Sequence, residues 1–183
     1  LAPKQEASAS EILDAAARAF ARRGYYATSI DDIADELGCT KGRIYHYYRA
    51  KGDLFIGIHR RAIAWAIEAV RPGAERTDLP PIERLRLMVS AHLRHMMEHT
   101  DYMGPSQYNT EINLAREGRD RDAAVAEIFE MRRQFERYFI DVLADGVTDK
   151  SFRAFDQEIM ARAVMGPANW MSVWFHAGAK LDT

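Results

Sequence analysis

The side chains best suited to chemistry lie between Lys41 and Tyr48, where lysine, arginine, histidine and tyrosine surround one apolar anchor, Ile44. Lysine and arginine neutralise phosphates or pair with guanine edges in the major groove, and tyrosine hydroxyls reach phosphate oxygens. The segment therefore indicates contact with duplex DNA, with Lys41, Arg43 and Tyr45 reading bases. The candidate DNA-contacting residues are Thr28, Ser29, Thr40, Lys41, Gly42, Arg43, Tyr45, His46, Tyr47 and Lys51.

A second group of reactive side chains is formed by His92, His95 and His99. Offsets of three and four residues place them along one stripe of a helix, where two imidazoles can share a metal ion. A metal-responsive protein is therefore one alternative. The sequence has a single cysteine and no second histidine cluster, so these rings are also candidates for binding the polar group of a small molecule.

Two short helices must present the segment after Thr40. Apolar residues at helical spacing between Ile30 and Leu37 give the first helix one buried face, while its aspartates face solvent. Thr28 or Ser29 supplies an N-cap, and Gly38 can adopt the left-handed conformation that ends a helix. Thr40 can then cap a second helix that runs to Tyr48, which predicts a helix-turn-helix.

Charge is distributed unevenly, although the formal net charge is only −2. From Gly38 to Arg61 six basic residues accompany one acidic residue, a local charge of +5. Residues 71–183 carry 15 basic and 18 acidic side chains. A basic patch on a mildly acidic body is typical of a protein that meets DNA through one small face.

The rest of the chain predicts an all-α protein, because helical periodicity recurs and no alternating strand pattern of any length occurs. We expect residues 1–7 to form a loose arm, Arg71–Pro81 a loop, and Asp101–Pro105 a break. Gly166 and Pro167 predict a kink in the last helix. The longer helices are expected at about Ser8–Arg23, Lys51–Val70, Pro81–His99, Ala123–Ala144 and Asp156–Trp174. Gly146 is expected to end the helix that begins near Ala123.

The first third of the chain resembles the N-terminal domain of TetR-like transcriptional regulators. Cys39 and Gly52 depart from the usual pattern, and neither touches an expected base contact. The resemblance implies a helix-turn-helix domain over residues 1–52, and a connector helix leading into a helical ligand-binding and dimerisation domain over 53–183. It is carried by Gly24, Thr28, Ser29, Ile33, Ala34, Gly38, Lys41, Gly42, Ile44, Tyr45, Tyr47, Tyr48, Lys51 and Leu54.

The same resemblance implies a homodimeric repressor, released from a palindromic DNA operator by a hydrophobic small molecule. The ending after Asn169 is similar to the subgroup that controls fatty-acid or steroid catabolism and senses acyl-CoA thioesters. Adaptable methionines and nearby aromatic rings make Met96, Met97, Tyr102, Met103, Tyr108, Met131, Phe135 and Trp170 the candidate effector-binding residues. Apolar residues of the last two long helices, Phe139, Met160, Val164, Trp170, Val173 and Trp174, are the candidate dimer interface.

Other classes of protein are disfavoured. No apolar run approaches the length of a membrane span and no signal sequence is recognisable, so we expect a cytoplasmic protein that does not act at a membrane. One cysteine excludes an intrachain disulfide. No nucleophile elbow, phosphate-binding loop or HExxH pair occurs, so the sequence predicts neither catalysis nor a cofactor. An enzyme acting on a hydrophobic substrate in the same pocket remains the alternative from another class.

Overall fold

The computed structural model describes residues 3–107 and 122–175, and for residues 3–7, 104–107, 122 and 172–174 it describes the backbone alone. Within these ranges every regular element is an α-helix, which confirms the predicted all-α class. No helix in them is long and apolar enough to cross a membrane. The helices are α1 (Pro3–Arg23), α2 (Ile30–Leu37), α3 (Lys41–Tyr47), α4 (Lys51–Ala74), α5 (Pro81–Glu98), α6 (Thr100–Gln107), α7 (Asp122–Thr148) and α8 (Gln157–Trp174).

Two predicted loops are helical instead. The arm expected at residues 1–7 was wrong from Pro3 onward, because proline is well suited to a first helical turn. The loop expected at Arg71–Pro81 was wrong at its start, since α4 continues through Pro72 to Ala74. Gly73 lies so close to α5 that a Cβ added there would be 3.1 Å from Cβ of Leu87, and this close packing accompanies the extra turn.

The break expected at Asp101–Pro105 was also wrong. Helix α5 ends at Glu98, His99 is its C-cap, and α6 begins at the next residue, Thr100. Helix α6 is anchored early, because Tyr102 and Met103 are both buried. Tertiary contacts of α6 therefore outweigh the local helix-breaking signal that the sequence shows.

Gly146 does not end α7 as predicted, since the helix runs on to Thr148. The ring of Phe152, which follows the helix, occupies the space that a Cβ at residue 146 would need. The Phe152 ring therefore leaves no room for a side chain at residue 146. Gly146 lies near the end of α7 but does not end it.

Replacing Gly146 with alanine is expected to destabilise the protein by about 1–3 kcal/mol, because the Phe152 ring must move out of its packed position. Thermal unfolding measures the change. Gly42→Ala is the matched control: its Cβ would meet only Oγ1 of Thr40 at 3.7 Å, so it should gain about 0.5–1 kcal/mol from helix propensity. A stabilised Gly146→Ala variant would contradict the packing described here.

The chain forms two compact units, which divide α4 after Ala62 and α7 after Ile128. The first contains the described parts of residues 1–62 and 101–128, and its core includes Ile12, Phe20, Ile33, Ile44, Phe55 and Ile58. This division follows packing, so a functional boundary at residue 52 stays a prediction. The second contains the described parts of residues 63–100 and 129–183.

The second unit is built around one apolar cluster contributed by α4, α5, α7 and α8. Phe139 belongs to this cluster and has 1% of its surface exposed, a position inside its own unit that does not favour the predicted contact with a second copy. Beside the cluster, the buried Arg84 donates to the backbone carbonyl of Ala74 at 3.0 Å and pairs with Asp145 at 2.6 Å. The buried members are Val70, Ala74, Met88, Phe139, Val142, Leu143, Ala161 and Met165.

Candidate nucleic-acid interface

Helix α2 has both of the end signals expected from the sequence. Oγ of Ser29 accepts a hydrogen bond from the backbone N–H of Asp32 at 3.1 Å, and the Asp32 carboxylate accepts from the Ser29 N–H at 2.7 Å. These bonds from Ser29, aided by Arg23, hold the pKa of Asp32 below its ordinary value. Gly38 ends the helix in the left-handed conformation, with φ of 61°. Ser29 stays exposed, but its hydroxyl is part of this capping box.

The acidic face of α2 is partly neutralised by arginines of α1, a pairing that the sequence analysis did not foresee. Nε of Arg18 donates to Glu36 at 3.0 Å, and Arg22 pairs with the same carboxylate. Partial burial raises the pKa of Glu36, but the hydrogen bonds from both arginines outweigh it and lower the pKa overall. Arg23 pairs with Asp32. These ion pairs reduce the negative charge beside α3.

Helix α3 presents the predicted base-reading side chains to solvent. Ile44 is its anchor, with 0% of its surface exposed, while Lys41, Arg43 and Tyr45 are all exposed. Arg43 pairs with Glu11 at 2.9 Å, and Lys41 lies 3.4 Å from Asp31. Ion pairs at this degree of exposure contribute little stability, so DNA phosphates or base edges can replace the carboxylates at small cost.

The start of α3 lacks the side-chain cap that the sequence predicts, and its last residues lie at the surface. Thr40 occupies the N-cap position, but its hydroxyl makes no capping hydrogen bond, so the expected side-chain cap is absent. His46 is exposed, and Tyr47 is half-buried with its ring edge-on to His46 at a centroid distance of 5.0 Å. Thr40, Gly42 and His46 thus lie on the exposed surface with the three candidate base readers.

Thr28 and Lys51 differ from the other candidates, because their polar atoms are directed at the protein's own backbone. Thr28 is 1% exposed, and its hydroxyl donates to the carbonyl oxygen of Gly24 at 2.8 Å. Nζ of Lys51 donates to the carbonyl oxygens of Tyr25 and Thr28, both at 2.9 Å. Both side chains hold the segment between α1 and α2, and their predicted phosphate contacts stay predictions.

Tyr102 was a candidate effector residue, but the structure places its hydroxyl in a polar network of the first unit. That hydroxyl donates to the Asp14 carboxylate, and Nη1 of Arg61 lies 2.9 Å from the Tyr102 oxygen and 3.1 Å from Asp14. Burial and the bond to Asp14 raise the pKa of Tyr102. Binding an effector through this hydroxyl would first require breaking that network, and a role of Tyr102 in effector binding stays a prediction.

The other candidate effector residues that the structure describes are divided between the two units. Met103 is buried in the first unit, whereas Met96, Met131 and Phe135 belong to the second. Met97 and Trp170 are exposed, by 36% and 61% respectively. Tyr108 lies outside the described residues.

The three histidines make aromatic contacts within the second unit. The ring of His92 lies 5.1 Å from that of Phe135, and His99 stacks on Trp65 at 4.6 Å. His95 and His99 are 4.7 Å apart between ring centroids. In the parts of the chain that the structure describes, no three metal-ligating side chains come together, so the metal-responsive alternative finds no donor set there.

Comparison with known proteins identifies this arrangement. Residues 12–58 match the model of bacterial regulatory proteins of the tetR family, and residues 78–182 match the tetracyclin repressor-like C-terminal domain. The chain is 29% identical over 184 residues to the HTH-type transcriptional repressor KstR2 of Mycolicibacterium smegmatis, covering 98% of this chain and 85% of that one.

Solved structures agree with this match. The TetR family regulator PfmR from Thermus thermophilus is 28% identical, with a TM-score of 0.82 over 93% of this chain and 88% of that one. The ketosteroid transcriptional regulator KstR2 of Mycobacterium tuberculosis is 25% identical, with a TM-score of 0.81 over 94% and 85%. The chain belongs to the TetR family of DNA-binding transcriptional regulators, and α2 and α3 are its helix-turn-helix.

Proposed function

We propose that this protein is a homodimeric repressor that binds a palindromic operator through α3 and is released by a hydrophobic small molecule. The main support for DNA binding is that Lys41, Arg43 and Tyr45 are exposed together on a short helix anchored by Ile44. Its site of action is the cytoplasm, where bacterial operator DNA lies. The relatives that match most of the chain are regulators, which favours this function over the enzyme alternative.

The positions of the side chains suggest which of them contact base edges and which contact phosphates. Lys41, Arg43 and Tyr45 read base edges, because they are the long polar side chains that α3 exposes. Tyr47 and the exposed hydroxyls near the start of α3 contact phosphates. A helix of seven residues reads only a few base pairs, so a useful affinity requires two copies on two half-sites.

The surface that pairs the two copies is proposed to be an apolar stripe on α8, formed by Ile159, Ala163, Gly166 and Trp170. These residues follow one another at steps of four, three and four, which places them on one side of the helix. All four are exposed, Ile159 by 65% and Trp170 by 61%. Among the described residues, apart from the backbone of α8 and the two chain neighbours, no atom lies within 4 Å of a Cβ built at Gly166, so a partner helix can approach closely there.

Other predicted interface residues have a smaller part in this proposal. Met160 and Val164 are half-buried and pack against the core of their own unit. The side chains of Val173 and Trp174 lie outside the described residues. Trp170 is therefore the predicted interface residue whose exposure most favours contact with a second copy.

For the effector we propose a hydrophobic molecule, with acyl-CoA thioesters as the first class to examine. The sequence resemblance of the C-terminal end supports this class. A relative matching most of the chain is named for ketosteroid regulation, which also favours an apolar ligand. Release needs only modest coupling, because about 1–3 kcal/mol changes occupancy by five- to 150-fold.

Selection of binding sites from a random pool of duplex DNA tests the proposal, because the operator sequence need not be known in advance. We expect enrichment of a palindrome whose half-sites lie about one helical turn apart. Affinity for that palindrome should fall with salt, with a log–log slope of about −5 to −9 for six to ten phosphate contacts. A pool that yields no preferred sequence would overturn the proposal.

A further inference from the structure

His92 is a buried polar side chain that the proposed DNA-binding function does not use. It lies on α5 and is 5% exposed, and neither of its ring nitrogens makes a hydrogen bond of normal geometry within the described residues. The nearby side chain of Asn169 on α8 only partly offsets the effect of burial on the pKa of His92. Such a group costs stability, because its hydration is lost without replacement. A ligand that offered a hydrogen-bond partner to the ring would remove this cost.

The surroundings of His92 are apolar on its own helix and aromatic across from it. Met88 and Met96, one turn before and one turn after it, are buried with 0% and 2% of their surfaces exposed. The Phe135 ring of α7 lies 5.1 Å from the imidazole. Small-molecule sites in proteins have this character, with a largely apolar lining and a few polar groups that set orientation.

Burial favours the uncharged form of the imidazole. Burial lowers the pKa of His92, and the side chain of Asn169 on α8 opposes this only in part. A neutral imidazole offers one N–H donor and one nitrogen acceptor. It brings no positive charge to balance a carboxylate, so an uncharged carbonyl oxygen is the better match for its donor.

We propose that His92 recognises the carbonyl oxygen of the effector's acyl group, donating its ring N–H while the hydrocarbon chain packs against Phe135 and Met96. The ligand class is an apolar molecule with an uncharged carbonyl, as in a thioester. This inference rests on the proposed function, since it assumes that a ligand regulates the protein. It goes beyond that function by naming the residue, His92, and the ligand atom, the carbonyl oxygen, that contact each other.

The test uses two ligands that differ only at the carbonyl. Octanoyl-CoA carries the thioester, and S-octyl-CoA is the thioether without the oxygen. Isothermal titration of the full chain should give wild type a preference for octanoyl-CoA of roughly five- to tenfold. His92→Phe should bind both equally, and His92→Gln, which keeps an N–H donor, should retain part of the preference.

Unfolding without ligand provides an independent readout. His92→Phe removes a buried polar group whose ring nitrogens make no hydrogen bond of normal geometry, so its melting temperature should equal or exceed that of wild type. Met97→Leu is the matched control on α5, because its exposed side chain should change neither ligand preference nor stability. His92→Gln keeps the test decisive if the phenylalanine variant does not fold.

The outcomes separate this inference from the proposed function. A preference that survives in His92→Phe, or is absent from wild type, overturns the role of His92. If wild type binds its operator but binds neither CoA compound, the role of His92 is also overturned. The proposed DNA-binding function is not affected by that result. A further outcome is that His92→Phe loses the preference for octanoyl-CoA while wild type selects no DNA sequence. That result would support the role of His92 in ligand recognition and refute the proposed repressor function.

Discussion

Arg43→Ala weakens binding to the cognate operator by about 30-fold or more, while affinity for random duplex DNA falls only a few-fold. A side chain that reads a base edge contributes about 1–3 kcal/mol of discrimination, and a two-fold dimer uses it twice. Arg43 lies exposed on α3 and pairs with Glu11 at 2.9 Å. Fluorescence anisotropy with both duplexes at fixed salt measures the ratio.

Lys51→Met should behave differently, because Lys51 donates to the carbonyl oxygens of Tyr25 and Thr28. We expect it to lower the melting temperature and to weaken operator and random DNA alike. Glu11→Gln frees Arg43 without removing it and should bind DNA slightly more tightly. Equal losses on the two duplexes for Arg43→Ala would show that Arg43 is a phosphate contact.

Trp170→Glu is expected to convert the dimer into a monomer and to reduce operator affinity by about 100-fold or more, since binding of the two half-sites is then no longer linked. A carboxylate in the centre of an apolar interface would be buried without a partner. Light scattering should give the monomer mass of 20.9 kDa for the variant and twice that for wild type.

Ile82→Glu is the control for Trp170→Glu, because Ile82 is an exposed apolar residue of α5, outside the α8 stripe, with 53% of its surface accessible. It should leave both the dimer and the operator affinity unchanged. A Trp170→Glu protein that remains dimeric would place the interface elsewhere, and loss of the dimer in both variants would point to general misfolding.

The helix-turn-helix is predictable from sequence because its determinants are local. Ser29 caps α2 within three residues, Gly38 ends it through one backbone conformation, and Ile44 anchors α3 through helical periodicity. Each signal acts over a single turn of chain, so a pattern of residue types is enough to predict it. The exposure of Arg43 and Tyr45 then follows from the position of Ile44.

The features that sequence reasoning missed depend on residues far apart in the chain. Lys51 is close to Tyr25 only after folding, and nothing in either segment indicates that its charge is used there. From the sequence, Gly146 predicts a helix end. In the structure, the Phe152 ring occupies the space beside it, and this packing explains the glycine. The candidate effector residues were grouped by type, and type alone does not tell that Tyr102 bonds to Asp14.

The bond between Tyr102 and Asp14 bears on how the protein can be dissected. A fragment that stops inside α4 retains Asp14 and Arg61 but loses α6, and with it the phenol that shares their hydrogen bonds. Such a piece would carry every base-reading side chain and still lack part of its scaffold. An excised DNA-binding segment of this protein is therefore a poor substitute for the whole chain in operator studies.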